Sequence, residues 1–217
     1  MIGETFGLEL DNALKILAAG GLLCFPTETF YALGCLAENV AAVSAIYELK
    51  KRPQSKPLPL AAASISQAAR YVDLDDLPVD LRSFWPGPLS ILRKVLKPTK
   101  LAPQVINPFS EVAIRVSSHP TVAALAKLGL LTVSSANLAD HLPVKRAQDL
   151  EHDFCLALEA QNLPFGIVTF FESQSCYTLP STLIRYQSAK PRLLQILRGG
   201  AIGEHDFEVL GYQCEMG

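Results

Sequence analysis

Charged side chains are sparse in this chain. They make up 18% of its 217 residues and leave a formal charge of −2 at pH 7, which argues against a protein that coats nucleic acid broadly while leaving room for a local basic patch. Long apolar runs are missing too. None approaches the roughly 18 residues that cross a bilayer, and the opening residues MIGETFGLEL lack the basic-then-apolar pattern of a secretory signal, so a cytoplasmic protein with no membrane partner is expected. The five cysteines (Cys24, Cys35, Cys155, Cys176, Cys214) include no C-x-x-C pair, and His119, His141, His152 and His205 show no metal-ligand spacing. Neither a zinc site nor a disulfide framework is expected. There is no Walker loop, no G-x-G-x-x-G, and no serine or cysteine with a recognisable base partner, so a nucleotide site here has to be assembled from scattered cations and hydroxyls.

What the chain does have is apolar mass, 49% of its residues, enough for a sizeable single core. LELDNALKILAAGG spaces Leu10, Leu14, Ile16 and Leu17 near one helical face and stops at Gly20-Gly21. Leu22 to Phe25 then reads as a buried strand. ENVAAVSAIYELK has a helical period and has to end before Pro53. KPLPLAA, PLSILRKVL, EVAIRV, LLTVSSAN, GIVTFF, STLIRY and RLLQIL read as strands, with SISQAARYV, DDLPVDLRSFW and HPTVAALAKLG as helices between them. The alternation predicts an α/β domain on a twisted, mixed parallel and antiparallel sheet flanked by helices. Residues 1–203 form that domain in this reading, and 204–217 carry little pattern and read as a loosely packed C-terminal tail.

Polar residues that a core does not need gather at three places. PTET (26–29) follows the buried strand, and open α/β sheets bind ligands beyond the carboxyl ends of their strands; the same residues also suit a plain turn. ELKKRPQSKP puts Lys50, Lys51, Arg52 and Lys56 within seven residues. Cations at a helix end complement its dipole, yet Lys50 and Arg52, two apart where helix gives way to extended chain, can also face one pocket and suit a polyphosphate. VSSAN (133–137) offers hydroxyls and an amide for a small ligand or for a helix cap.

Taken in order, PTETFYALG, KKRPQSKPL, WPGPLSILRKV, VAIRVSSHP, SSAN, PSTLIRY and ILRGGAI resemble the YrdC/Sua5 family of threonylcarbamoyl-adenylate synthases, in its short single-domain bacterial form, across residues 20–202. The resemblance implies a YrdC-like domain with a concave, positively charged cavity. It implies condensation of ATP, bicarbonate and L-threonine to threonylcarbamoyl-adenylate and pyrophosphate, with Mg²⁺ accompanying ATP and no tightly bound prosthetic group. The product would serve the t6A modification of tRNA through partner proteins. The family's K-x-R and S-x-N signature falls on Lys50, Arg52, Ser135 and Asn137, read as catalytic. Thr29, Arg115 and Ser181 would face the threonine part, Arg198 the nucleotide, and Lys56 would add a phosphate contact. Three positions depart from the family's usual wording: Ala32 in place of glycine, Asp140 after the SSAN segment, and Arg185 in STLIR, where an aspartate is common. The second reading is a paralogue that keeps the cavity and binds RNA or nucleotide without making the adenylate.

Overall fold

The computed structural model describes residues 8–171 and 177–217. The α/β character and the mixed strand pairing are as expected, and the strands divide between two sheets. One has four strands in the order β7-β2-β1-β8: Ser134–Ser135, Ala32–Gly34, Leu22–Phe25 and Phe165–Ile167. The other has seven in the order β11-β10-β9-β4-β5-β3-β6: Gln213–Met216, Leu193–Arg198, Thr182–Tyr186, Leu89–Lys94, Glu111–Val116, Leu60–Ala62 and Leu131–Thr132. The split falls inside LLTVSSAN, which reads as one strand by sequence. Leu131-Thr132 pairs with β3 in the larger sheet, and after Val133 the chain turns so that Ser134-Ser135 pairs with β2 in the smaller one. A single apolar run thereby bridges both sheets.

Strand β1 shows why the run Leu22 to Phe25 is buried along its whole length. Alternate side chains leave a strand on opposite faces. Leu22 and Cys24 join one apolar cluster, with α2 (Val40–Leu49), while Leu23 and Phe25 join a second, with Ala13 and Leu17 of α1 (Leu10–Ala18). Antiparallel β2 then returns beside β1, setting Gly34 opposite Leu23. A Cβ on Gly34 would lie 2.1 Å from the Thr132 carbonyl, so only glycine permits this approach to β6. Ala32 keeps an ordinary negative φ, and its departure from the family wording costs the backbone nothing.

The C-terminal stretch corrects the expectation of a loose tail. Residues Glu204–Glu208 form a short helix, and β11 pairs in parallel with β10, with Leu194 opposite Cys214. Two aromatics anchor it. Phe207 is fully buried edge-on against Phe84, ring centroids 5.4 Å apart, and the buried Tyr212 donates its hydroxyl to Asp80 Oδ1 at 2.7 Å. A second element without an assignment from sequence is the helix His152–Glu159, which buries Phe154, Cys155 and Leu158. No helix among the described residues is long and apolar enough to cross a membrane.

Candidate active site

Between the two sheets lies a cavity of about 500 Å³. It is walled by Thr27, Thr29 and Tyr31 after β1, Arg52 after α2, Arg115 on β5, Ser134 and Ser135 on β7, Ser181 just before β9, and Arg198 at the end of β10. Strand ends thus supply most of its polar wall. Of the residues singled out by sequence, Thr29, Arg52, Arg115, Ser135, Ser181 and Arg198 meet here, while Lys50, Asn137 and Lys56 do not line it. Leu142, Pro143, Leu179 and Pro180 complete the rim. Thr27 lies in the PTET stretch already marked by its hydroxyls, and Pro180 opens the PSTLIRY motif; Leu142, Pro143 and Leu179 carry no signal in the sequence.

Three guanidinium groups converge on this space, and their charges are incompletely neutralised. Arg115 pairs with the buried Glu28, Nε to Oε1 at 3.0 Å. Arg52 and Arg198 form no ion pair with a described carboxylate; carbonyls hold them instead. Arg52 donates from Nε to the Lys56 carbonyl at 2.7 Å and from an Nη to the Pro57 carbonyl at 3.1 Å. Arg198 donates from Nε and an Nη to the Ser181 carbonyl, at 3.1 and 2.7 Å, and from that Nη to Ser181 Oγ at 2.8 Å. Gly200 is packed so tightly on Pro180 and Ser181 that a Cβ there would lie 2.2 Å from the Pro180 carbonyl, which fixes the Arg198 strand end against this wall. Burial, then the nearby Arg115 and Arg52, lower the pKa of Arg198; burial does the same for Arg52. Like charges held close in a partly desolvated space favour an anion between them.

Lysine and arginine of the K-x-R segment take different directions because of the residue between them. Lys50 caps α2, Lys51 sits in the left-handed region at φ 46°, and Arg52 donates its N–H back to the Tyr47 carbonyl at 2.9 Å. With the Lys51 N–H on the Glu48 carbonyl at 3.0 Å, this is a Schellman turn whose usual glycine is replaced by lysine. Lys51→Gly is expected to raise stability by about 1 kcal/mol, read as a shifted denaturant midpoint, with activity unchanged. The turn sends Arg52 to the cavity and Lys50 inward. Buried Lys50 gives its ammonium protons to the Ser135 carbonyl at 2.6 Å, the Asn137 carbonyl at 2.7 Å and Asn137 Oδ1 at 2.9 Å. An ammonium has three protons, and all three are placed. Burial first and Arg52 second pull its pKa down to about 8.

The SSAN turn is therefore held from behind. Asn137 donates its amide to the His141 carbonyl, and His141 Nδ1 lies 2.6 Å from Glu151 Oε2, which together shape the loop that brings Leu142 and Pro143 to the rim. Lys56 contributes its carbonyl, which accepts from Arg52 and, at 3.2 Å, from the Tyr47 hydroxyl. The other departures lie away from the wall. Arg185 pairs with Glu111 at 3.2 Å on the larger sheet, and exposed Asp140, at φ 65°, does not line the cavity.

Comparison with known proteins places this architecture. The model of the Sua5/YciO/YrdC family, described as telomere recombination, matches residues 15–200. The chain belongs to this family. Over 151 residues it is 37% identical to a threonylcarbamoyl-AMP synthase of Stenotrophomonas maltophilia, covering 66% of this chain and 80% of that one. P. abyssi Sua5, solved in complex with L-threonine, superposes with a TM-score of 0.79 at 24% identity, over 95% of this chain and 58% of the Sua5 chain. E. coli YciO superposes with a TM-score of 0.74 at 20% identity, over 91% and 92% of the two chains. The Sua5/YciO/YrdC fold thus covers nearly all of this chain, and this chain spans little more than half of Sua5.

Proposed function

We propose that this protein is an L-threonylcarbamoyl-adenylate synthase acting in the cytoplasm, a nucleotidyltransferase that supplies the t6A modification of tRNA. The observation that carries the reading is the convergence of Arg52, Arg115 and Arg198 on one cavity, with the buried Glu28 the one carboxylate paired with them among the described residues. The name of the 37%-identical relative supports the same activity. In the reaction the amine of L-threonine and bicarbonate give a carbamate and water. A carbamate oxygen then attacks the α-phosphate of ATP, and pyrophosphate leaves with the bonding electrons. No side-chain nucleophile is required. The protein's task is to align the reactants and to place fixed positive charge where negative charge builds on phosphate.

In this reading Arg52 and Arg198 grip the phosphates, and Thr29, Arg115 and Ser181 hold the amino acid. Lys50 and Asn137 act from behind by fixing Ser135 at the wall. The residues present do not fit a resident Mg²⁺. Glu28 is committed to Arg115 and Ser117, and no cluster of three metal-ligating side chains exists among the described residues. The Mg²⁺ of the reaction belongs to the substrate, as the ATP complex. The test is pyrophosphate release with ATP and Mg²⁺: it should require L-threonine and bicarbonate together. Tight binding of a short RNA with no turnover would favour a binding module instead.

A further inference from the structure

Glu28 is a buried acid behind the wall of a cavity built for anions, and none of the proposed chemical steps uses it. Its surroundings give it a different task. The carboxylate is 1% exposed and comes from the loop leaving β1, in the four-stranded sheet; its partners Arg115 and Ser117 come from β5 and the residue after it, in the seven-stranded sheet. Oε1 lies 3.0 Å from Arg115 Nε as an ion pair without the alignment of a hydrogen bond, and neither atom has a hydrogen-bond partner among the described residues. Oε2 accepts the Ser117 hydroxyl, whose oxygen accepts the His119 N–H at 3.2 Å. The Glu28 carbonyl accepts the Tyr177 N–H at 3.0 Å, just ahead of the Thr178 to Ser181 wall.

We propose that Glu28 is a positioning residue: it grips Arg115 by the Nε edge, leaves the Nη groups to the cavity, and locks together the two sheets that form its walls. A guanidinium is a planar fork, so fixing one edge fixes where the others point. Removing one partner of a buried ion pair strands the other charge, which then seeks water or another anion. Charge compensation alone makes the opposite prediction. Without Glu28 the cavity would be one positive charge richer, and every anion should bind more tightly.

This inference rests on the synthase reading for the identity of the ligand that Arg115 holds, but not for the ion pair itself, so two measurements are combined on the full chain. The first is the ¹⁵N spectrum of arginine-labelled protein, with the Arg115 Nε–H signal assigned by its absence in Arg115→Lys. It should be sharp in the parent and lost or strongly broadened in Glu28→Gln. The second is calorimetric titration with L-threonine and, separately, with ATP and Mg²⁺. Glu28→Gln should weaken L-threonine by about tenfold or more and change ATP by no more than about twofold. Ser117→Ala, which keeps the charge and removes the hydrogen bond to Glu28 together with the one accepted from the His119 N–H, should weaken L-threonine by about threefold and serves if Glu28→Gln does not fold. An unchanged Nε–H signal in Glu28→Gln, or equal shifts in both affinities, overturns the proposal. Failure of the parent to bind L-threonine would overturn the synthase reading, while the arginine spectrum would still decide the role of Glu28.

Discussion

Arg52→Ala is expected to lower the rate of pyrophosphate formation by about 10²- to 10³-fold at saturating substrates, with the melting temperature nearly unchanged. The rate should suffer because Arg52 is held before any ligand arrives. The Lys56 and Pro57 carbonyls occupy Nε and one Nη position, so the guanidinium is already aimed and no reorganisation is needed as charge develops on phosphate. The fold should tolerate the loss because the bond to Lys56 lies on the exposed loop after α2, where water can replace the arginine. Arg52→Lys should rescue little: a lysine cannot span two carbonyls and a phosphate with one planar fork. Coupled detection of pyrophosphate, alongside a thermal melt, reads both halves.

Lys50→Met is expected to damage stability and activity together. It leaves the Ser135 carbonyl, the Asn137 carbonyl and Asn137 Oδ1 without their shared donor, at a cost of about 2–4 kcal/mol in unfolding free energy. Release of the turn also moves Ser135 from the wall, and a misplacement of about 1 Å costs on the order of 10²-fold in rate. The pH dependence gives a signature specific to this group. The pKa is about 8 in the folded protein against an ordinary lysine value of 10.5, so between these pH values the unfolded chain holds the extra proton. The contribution of Lys50 to unfolding free energy therefore rises with pH across that window, and a slope present in the parent should be missing from Lys50→Met. Activity should move the other way, falling above about pH 8, because a neutral amine has two protons for three oxygens. Denaturant unfolding and initial rates measured between pH 7 and 10 separate the two trends.

These two residues show how far the sequence reaches. K-x-R and S-x-N identify segments that meet in space, because residues near helix and strand ends are where ligands gather. The pattern does not say which way each side chain points. The left-handed turn at Lys51 decides that, and a lysine where glycine is usual gives no hint of it. Glu28 is equally open from sequence, lying in a PTET stretch that suits a ligand wall or a plain turn, since its partner Arg115 is 87 positions away (115 − 28) and on another sheet.

The fold was legible wherever local pattern and final environment agree. β1, α1, α2 and β5 form at the positions their periodicity predicts. The division into two sheets was hidden because LLTVSSAN keeps a strand-like composition through the bend at Val133, and only pairing partners distinguish its halves. The last residues carry little pattern because β11 is an edge strand with exposed Gln213, Glu215 and Met216; its stability comes from Phe207 and Tyr212, which no short period links.

The synthase activity can be followed by supplying ¹³C-bicarbonate with L-threonine, ATP and Mg²⁺ and tracing the label by NMR and mass spectrometry. One labelled carbonyl is expected in an adenylate that also contains threonine, formed in equal amount with pyrophosphate and nearly absent with Arg52→Ala. Consumption of ATP without labelled carbon in the nucleotide product, or no consumption at all, would rule that activity out.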